Sequence, residues 1–360
     1  MKKVLLVTDV SFWEKCSGHR MRISALIAYL ASHVQLTVVN TGPAPENIEQ
    51  ILSAEYSAEF HILEKKRYLD SNSYGRKLKA FLKNRHFDTL IIEYIHSSYF
   101  LNFLREDVKL ILDAHDIISE RTAQFKRFNY AGALYELPRE TENEIFNVYD
   151  KIMVLCAPDY EQINTMIGPG KALLCPHPHQ IHHHSISKEV KNIVFIASAY
   201  LPNKDGINFF INNCWPAISE KSAMQLSIYG TVAEGVVINN QKNISIKGFE
   251  PDINKIYEEA DIVINPVRFG AGLKIKNVEA LAYGRPLVTT PHGARGIEAG
   301  QDHAFLVAND AIGFINAIAS LIESNELRTY LSHNAMTFIA ENFNVNTCFE
   351  PLLEEINKNQ

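Results

Sequence analysis

The sequence predicts an α/β protein made of two doubly wound, parallel-sheet domains in tandem. A chain of 360 residues exceeds the size of one ordinary domain, so two hydrophobic cores are expected. Short β-branched runs alternate with longer stretches of helical periodicity, which is typical of parallel strands covered by helices on both faces. A stretch rich in Pro, His and Ser interrupts this alternation near the middle of the chain. We place the domain boundary there.

The first half of the chain contains short apolar runs that we predict to be the strands of one sheet. Near-continuous apolar runs of this length are typical of strands that are buried on both faces. In chain order they are VLLV from Val4, LTVV from Leu36, TLIIE from Thr89, KLILD from Lys109, KIMVL from Lys151 and KALLC from Lys171.

The alternation restarts after PHPHQIHHHSISKEVKN, which runs from Pro176 to Asn192. We predict an N-terminal domain over residues 1–180 and a C-terminal domain over residues 190–340. The segment from about 341 to 360 is expected to return to the first domain, because a terminal helix needs a surface to bury its apolar residues. The predicted strands of the second domain are NIVFIAS from Asn192, QLSIYG from Gln225, ISIKGF from Ile244, DIVINPV from Asp261 and PLVTT from Pro286.

Charge and apolar runs exclude several classes of protein. The chain carries 35 Lys and Arg against 41 Asp and Glu, a net charge of −6, which gives no reason to expect a nucleic-acid binder. The N-terminal apolar run stops at Asp9, short of a signal-peptide core, and no uncharged run is long enough to cross a bilayer. We expect a cytoplasmic protein. Its five scattered cysteines, Cys16 among them, lack the CxxC spacing of a zinc site.

Two parallel-sheet domains predict where a ligand binds. In open parallel sheets, ligands lie beyond the carboxyl ends of the strands, so functional loops should follow strands. If the two domains face each other, they form a central cleft with binding loops on both walls.

The segment RFGAGLK, Arg268 to Lys274, is the loop that concentrates the most chemistry. It joins a predicted strand to the predicted helix IKNVEALAYG, which Gly284 ends. Gly270 and Gly272 permit unusual dihedral angles and let main-chain N–H groups approach a ligand, while the helix N-terminus adds partial positive charge.

Formal charge at the same turn favours an anionic ligand. Arg268, Lys274 and Lys276 are crowded together without carboxylate partners, and an anion such as a diphosphate between them relieves their repulsion. Glu279, one turn into the helix, can stabilise the helix start, pair with Lys276, or accept hydrogen bonds from ribose hydroxyls. The alternative to a binding site is a glycine turn followed by a solvated, charged helix face.

The stretch PVRFGAGLKIKNVEALAYGRPLVTTPHGARGI resembles the donor-site signature of the family 4 glycosyltransferases of the GT-B fold. It is especially similar to bacterial sugar transferases that read G-x-G-x-K-x-K-x-x-E-A-x-A-x-G-x-P. The resemblance continues through YLPNKDGINFF from Tyr200, SIYG from Ser227, GFEPDINKIYEEADIVINP from Gly248 and ELRTYLSHNAMTFIAENFN, so it covers most of the second domain. The first domain matches more loosely, through SGHRMRISALIAYLASHVQLTVV and LDAHDIISER.

This resemblance implies a GT-B fold and a retaining transfer of a sugar from a nucleotide-diphosphate sugar to an acceptor hydroxyl. No metal ion or other cofactor is implied, and the acceptor would be a glycan, a lipid-linked sugar or another hydroxyl compound. In this family a carboxylate matching Glu279 holds the donor ribose, and Lys274, with Lys276, offsets the charge of the leaving diphosphate. The predicted donor-binding residues are Gly18, Asn203, Lys204, Gly230, Phe249, Arg268, Gly270, Ala271, Gly272, Leu273, Lys274, Lys276 and Glu279.

The sequence departs from the wider family pattern at two places. The E-x7-E pattern of the family would put its first glutamate where this chain has Ala271, so contacts to the sugar ring must come from the main chain or elsewhere. The Arg and Lys pair that often follows the first strand of the second domain is not obvious, and Asn203 and Lys204 are the nearest polar candidates.

Two loops of the first domain supply further candidates. His115, in DAHDIISER, resembles the family histidine that lies near the donor sugar and the acceptor, and Asp116 is beside it; we predict both as catalytic residues. The alternative is a loop histidine bonded locally to Asp113 or Asp116. After the first strand, Gly18 is expected near the donor phosphates, with Arg20 or Arg22 binding an anion at the helix N-terminus.

Two other segments have simpler interpretations. The histidines from His177 to His184 lack accompanying carboxylates or cysteines, so we interpret this stretch as a solvated linker rather than a metal site. The segment from Tyr74 to His86 is a basic amphipathic helix that either packs on the core with a charged outer face or makes a peripheral contact with an anionic membrane.

These features predict a GT-B glycosyltransferase of bacterial surface glycan synthesis. One alternative is a non-hydrolysing nucleotide-sugar epimerase, which also has two Rossmann-like domains. Another is a nucleotide-sugar-binding protein without transfer activity, which the alanine at position 271 makes worth testing.

Overall fold

The computed structural model describes residues 1–14, 17–65, 71–104, 108–221 and 224–358, without the side chains of residues 71–73 and 221. It divides into two compact units. The first comprises Met1–Thr122, Gly132–His177 and Val345–Gln360, and the second comprises Ala123–Ala131 and Pro178–Asn344. Cys16 lies outside the described residues, and the cysteines at 156, 175, 214 and 348 are buried and not paired in disulfides among the described residues.

The first unit is built on a parallel sheet of seven strands in the order β3-β2-β1-β4-β5-β6-β7. Its central strands are buried on both faces, as their apolar runs require. The strands are β1 Lys3–Thr8, β2 Gln35–Asn40, β3 Glu59–Ile62, β4 Thr89–Glu93, β5 Lys109–Asp113, β6 Lys151–Val154 and β7 Ala172–Leu174.

Helices cover both faces of this sheet. They are α1 Gly18–Ala31, α2 Ile48–Glu55, α3 Ser71–Leu82, α4 Ile118–Arg127, α5 Arg139–Val148, α6 Ala157–Ile167 and, from the C-terminus, α13 Val345–Asn357. In α13, Phe349 lies 5.5 Å from Tyr29 of α1, measured between ring centroids. The Nζ atom of Lys109 donates to the Glu355 carbonyl oxygen at 2.6 Å, so both apolar packing and hydrogen bonding hold the last helix on the first unit.

The second unit contains a parallel sheet of six strands in the order β10-β9-β8-β11-β12-β13. Its strands are β8 Asn192–Ile196, β9 Gln225–Tyr229, β10 Ile244–Gly248, β11 Ile262–Asn265, β12 Leu287–Thr289 and β13 Leu306–Val307. Its helices are α7 Leu201–Asn213, α8 Trp215–Lys221, α9 Ile253–Glu259, α10 Ile275–Ala282, α11 Ala311–Glu323 and α12 Asn325–Asn342. The second half of α4, from Ala123, is also grouped with this unit.

The prediction of two Rossmann-like, parallel-sheet units is confirmed by these sheets. Strands β3 and β13 were not predicted from the sequence. Both lie at an edge of their sheet, and β13 is only two residues long, so neither has the long apolar run of a strand buried on both faces.

The interpretation of the His-rich segment as a solvated linker is wrong. His182 stacks on Tyr283 with ring centroids 4.2 Å apart, and its N–H donates to the Ala282 carbonyl oxygen at 2.9 Å. The buried guanidinium of Arg328 donates to the carbonyl oxygens of Ser187 at 3.0 Å and Lys188 at 2.7 Å. The segment is therefore an ordered strap on the second unit, held by aromatic stacking and by an arginine that satisfies its backbone.

The basic helix α3 packs on the core of the first unit. Tyr74 and Leu78 are buried in that core. The neighbouring basic residues at 76, 77, 79 and 83 are exposed. Within the part of the chain that the structure describes, no helix is both long and apolar enough to span a bilayer.

Replacing Arg328 with alanine should destabilise the second unit by roughly 3 kcal/mol, because it removes a buried guanidinium and leaves the carbonyl oxygens of Ser187, Lys188 and Leu321 without this donor. The free energy of unfolding, measured by urea denaturation, tests this. Thr329→Ala is the matched control, since Thr329 is an exposed neighbour on the same helix. Equal stabilities of the two variants would show that Arg328 does not hold the strap.

Candidate active site

The glycine loop of the second unit connects the carboxyl end of β11 to the first turn of α10. Gly270 has φ of 122° and Gly272 has φ of 67°, a left-handed region that favours glycine. Both are buried, as is Leu273, whereas Ala271 is partly exposed. The glycines therefore turn the backbone sharply immediately before a helix N-terminus, which is the arrangement in which N–H groups bind an anion.

A buried polar network fixes this edge of the sheet. The side-chain Nδ2 atom of Asn265 donates to Asn277 Oδ1 at 2.8 Å, and Asn277 Nδ2 donates to the Gly293 carbonyl oxygen at 2.8 Å. Thr289 Oγ1 donates to the Asn265 carbonyl oxygen at 2.9 Å. These bonds tie β11, α10 and the loop after β12 together, so the loops that follow the strands are held on a rigid frame.

Lys276 is a partly buried cation near the start of α10. Its Nζ atom donates to Asn203 Oδ1 at 2.5 Å and lies 5.1 Å from the centre of the Phe195 ring. Burial, and secondarily the charge of Lys274, lowers the pKa of Lys276 to about 7. Asn203 is itself held by a bond of 3.0 Å from its Nδ2 to the Ser198 carbonyl oxygen. The structure thus brings together two residues that are far apart in the sequence, both predicted as donor-binding.

Glu279 lies one turn further along α10 and is buried. The Tyr257 hydroxyl donates to its Oε2 atom at 3.3 Å. Burial raises the pKa of Glu279 to about 7, although Tyr257 and Lys276 both act in the opposite direction. A carboxylate with one donor retains capacity to accept further hydrogen bonds.

Lys274 shapes the glycine loop directly. Its Nζ atom donates to the carbonyl oxygens of Ala271 at 3.2 Å and Gly272 at 2.9 Å. The amino group thus curls back on its own loop, with its charge next to the turn.

Arg268 does not join this group of cations as predicted. It forms a bidentate ion pair with Asp205, at 2.9 Å and 2.7 Å, and its guanidinium lies 4.7 Å from the centre of the Phe209 ring. Arg268 and Asp205 line a groove with a volume of about 450 Å³, and Lys204 lines it as well. The inference that all three cations of this stretch lack carboxylate partners is therefore wrong for Arg268, because its partner lies on a helix that is distant in sequence.

Phe269 anchors the glycine loop in an aromatic cluster that the sequence did not reveal. It is completely buried, and it stacks on Phe128 at 4.7 Å and Tyr130 at 5.2 Å, measured between ring centroids. Phe125 meets it edge to face at 5.1 Å. Three of these rings come from the segment 123–131, so the residue next to Gly270 is fixed by a distant stretch of chain.

His292 is a second residue that sequence reasoning missed. Its Nε2 atom is buried without a hydrogen-bond partner among the described residues, and it lies 3.8 Å from the position that a Cβ atom would take at Gly270. Burial, and then the charges of Lys274 and Arg295, lowers the pKa of His292 to about 3. The sequence signal that could have identified His292 is the tripeptide PHG, which directly follows the predicted strand PLVTT.

The other predicted donor residues of this unit lie at loops that follow strands. Gly230 follows β9, and its N–H donates to the Gly248 carbonyl oxygen at 2.6 Å. Phe249 follows β10 and is 61% exposed, which is unusual for a phenylalanine and leaves its ring available to a ligand.

In the first unit, His115 belongs to a buried cluster at the carboxyl ends of β4 and β5. Its Nε2 atom lies 2.7 Å from Glu93 Oε2, and its ring stacks on Tyr94 with centroids 4.0 Å apart. Neither local alternative, Asp113 or Asp116, is its hydrogen-bond partner: Asp113 Oδ2 is 3.9 Å from Nε2. One carboxylate oxygen of Glu93, one of Asp113 and one imidazole nitrogen of His115 all lie within 4.8 Å of one another.

Arg22 supplies the positive charge of this cluster. The guanidinium donates from Nε to Asp113 Oδ2 at 3.0 Å and from Nη1 to the Pro176 carbonyl oxygen at 2.9 Å. The arginine and the aspartate are fully buried. The expectation that Arg22 binds an anion at the start of α1 is wrong, because its charge is already matched by Asp113.

The two remaining candidates of this unit are placed as follows. Asp116 accepts from Arg121 Nη1 at 2.6 Å, and burial raises its pKa although the arginine acts against this. Gly18 is the first residue of α1, so it lies at the helix N-terminus where an anion was predicted.

Residues 190–324 match the family model described as "Glycosyl transferases group 1". A Klebsiella pneumoniae protein, described as an uncharacterized 44.6 kDa protein in the cps region, is 22% identical over 302 residues, which cover 78% of this chain and 76% of that protein.

Solved structures show the same architecture. TarM superposes with a TM-score of 0.76 at 12% identity, covering 99% of both chains. Anabaena HepE, solved in complex with UDP and glucose, gives a TM-score of 0.73 at 12% identity and covers 100% of both chains. The lipopolysaccharide outer core galactosyltransferase WaaB gives 0.67 at 12% identity, covering 98% of this chain and 99% of that one.

The solved structures show that the chain has the GT-B fold. Residues 190–324 match the model of the glycosyl transferases group 1 family. This region contains the glycine loop, α10 and His292, so the family match and the site geometry coincide.

Proposed function

We propose that this protein transfers a sugar from a nucleotide-diphosphate sugar to an acceptor hydroxyl during the synthesis of a bacterial surface glycan. The observation that carries the proposal is the set of groups around the glycine loop. Lys274 and Lys276 lie at the N-terminal end of α10, where a diphosphate needs counter-charge. Glu279 lies one turn away, at a distance along the helix suited to the ribose of the same nucleotide.

The charge balance of the site supports an anionic ligand. Lys276 and Glu279 both have a pKa near 7 in the unliganded protein, because each is buried with incomplete compensation. A diphosphate would favour the charged form of Lys276, and ribose hydroxyls would donate to the ionised form of Glu279. The ligand would thus give Lys276 an anionic partner and Glu279 additional hydrogen-bond donors.

The family resemblance and the relatives support the finer parts of this proposal. The fixed cations and the helix N-terminus offer the leaving diphosphate a countercharge without a metal ion, and the resemblance implies retention of configuration at the transferred sugar. Among the structural neighbours, HepE was solved with UDP-glucose and S. aureus TarM with UDP and α-GlcNAc-glycerol. A uridine nucleotide sugar is therefore the first donor to test.

Acceptor and location belong to the same proposal. The cps region of the Klebsiella relative suggests a glycan or lipid-linked acceptor of capsule-type synthesis. The exposed cations of α3 would let the protein approach an anionic membrane from the cytoplasmic side without entering it.

A panel of nucleoside diphosphates and nucleotide sugars, read as thermal shifts, tests the donor, since a ligand of the folded state raises the melting temperature. Release of the nucleoside diphosphate with candidate acceptors then tests transfer. Conversion of one sugar nucleotide into another without an acceptor would show an epimerase instead. Binding without transfer or hydrolysis would favour a binding protein, for which the lost carboxylate at Ala271 is the specific indication.

Lys274→Ala and Glu279→Ala should each weaken UDP binding by about 10- to 100-fold, because each removes one charge-assisted contact to the ligand. Isothermal titration calorimetry measures this. Lys255→Ala is the matched control, an exposed lysine in the same unit, and its affinity should equal that of the wild type. If both site variants also keep wild-type affinity, the diphosphate site is wrongly assigned.

UDP binding at about pH 8 should take up a proton, because Lys276 is mostly neutral in the free protein whereas the phosphates, with a second pKa of about 6, are fully ionised. The bound diphosphate raises the pKa of the lysine, so the ammonium form returns. Calorimetry in buffers of different ionisation enthalpy measures the uptake. In Lys276→Arg the guanidinium stays charged throughout, and uptake should disappear; uptake that persists would assign the proton to another group.

A further inference from the structure

We propose that Glu93 is a positioning residue that holds the His115 ring with its proton on Nε2, so that Nδ1 faces a substrate hydroxyl as a hydrogen-bond acceptor. The inference rests on the proposed transfer reaction, but its structural basis lies entirely within the first unit. It assigns a role to a carboxylate that sequence reasoning did not single out.

The geometry determines which nitrogen of the ring is engaged. Nε2 lies 2.7 Å from Glu93 Oε2, a distance at which one proton is shared between the two atoms. The Nδ1 atom has no partner among the described residues, and 8% of the residue remains exposed. The ring therefore points one nitrogen into the protein and keeps the other for a ligand.

The chemistry of the pair decides which atom donates. An ionised carboxylate can only accept, so the ring nitrogen that faces Glu93 is the donor, and the proposal places the proton on Nε2. A neutral imidazole with that proton keeps its lone pair on Nδ1. Burial and the charge of Asp113 raise the pKa of Glu93, whereas His115 and Arg22 act in the opposite direction. Other titratable groups near this cluster are His19, Tyr94, Asp116 and Cys175.

The surroundings hold the ring in this one orientation. Tyr94 covers one face of His115, with the two ring planes inclined by 11°. Tyr94 and His115 both have left-handed backbones, with φ of 66° and 60°, which is uncommon for residues other than glycine. Such strain persists where the surrounding structure over-determines it, and it is found most often at functional sites. Glu93 is completely buried, so its carboxylate cannot move to solvent and release the ring.

Glu93→Gln tests the assignment, because the amide keeps the size and hydrogen-bonding capacity of the side chain but removes its charge. Nitrogen-15 NMR of labelled histidine reports which nitrogen carries the proton. We expect the Nε2-protonated form for His115 in the wild type and a clear shift toward the Nδ1-protonated form in the variant. A wild-type ring protonated on Nδ1, or a variant with an unchanged tautomer, would overturn the proposal.

Turnover provides the second readout. Glu93→Gln should lower the rate of sugar transfer, or of donor hydrolysis, by about tenfold or more, with UDP affinity unchanged. In a His115→Ala background the same substitution should have little further effect, because a positioning residue acts through its partner. If the two effects instead multiply, Glu93 acts on the fold and not through His115.

Glu59→Gln is the matched control, since Glu59 also pairs with a histidine of the same unit, at 2.6 Å from His61 Nε2, but is half exposed. Its turnover should match that of the wild type. The NMR measurement needs no substrate. A protein that shows the expected tautomer and yet has no turnover with any donor would therefore contradict the proposed function alone.

Discussion

Both units bury ionisable side chains at the carboxyl edge of a parallel sheet, and a buried charge is tolerated only when protein groups compensate for it. This constraint organises the molecule more than any single apolar contact does. Parallel strands end at the same edge, so the residues that follow them are brought together from distant parts of the sequence. The folded sheet is thus the reason that these charges meet and the reason that they have to be matched.

The two units satisfy the constraint to different degrees. In the first unit, Arg22 and Asp113 are fully buried and pair with each other, and Glu93 pairs with His115. In the second unit, Lys276 has an amide oxygen as its hydrogen-bond partner and Glu279 has a tyrosine hydroxyl. Burial moves the pKa of Lys276 and of Glu279 to about 7, and neutral hydrogen-bond partners oppose such a shift less than charged partners do. The second unit is therefore the one that a charged ligand would stabilise more.

The sequence predicted those parts of the fold and site that depend on local pattern. The buried strands have long apolar runs, and the glycine loop with its lysines has a motif, so the two sheets and the surroundings of Lys274 and Glu279 were found. What was missed depends on tertiary contacts. The pairing of Arg268 with Asp205 and the stacking of Phe128 on Phe269 join residues that no periodicity connects. The strap that Arg328 holds has a composition typical of a solvated linker, and it is ordered by the buried guanidinium together with stacking on Tyr283.

The replacement of the usual carboxylate by Ala271 is consistent with this distribution of charge. A glutamate at that position would lie beside Lys274, whose amino group already donates to the Ala271 and Gly272 carbonyl oxygens. Its negative charge would attract the lysine ammonium and so weaken the attraction of this loop for a diphosphate. Alanine brings no such charge, and His292 Nε2 lies at the same turn. These contacts favour the proposed diphosphate site at this loop, and we expect the groups that contact the sugar ring among other residues.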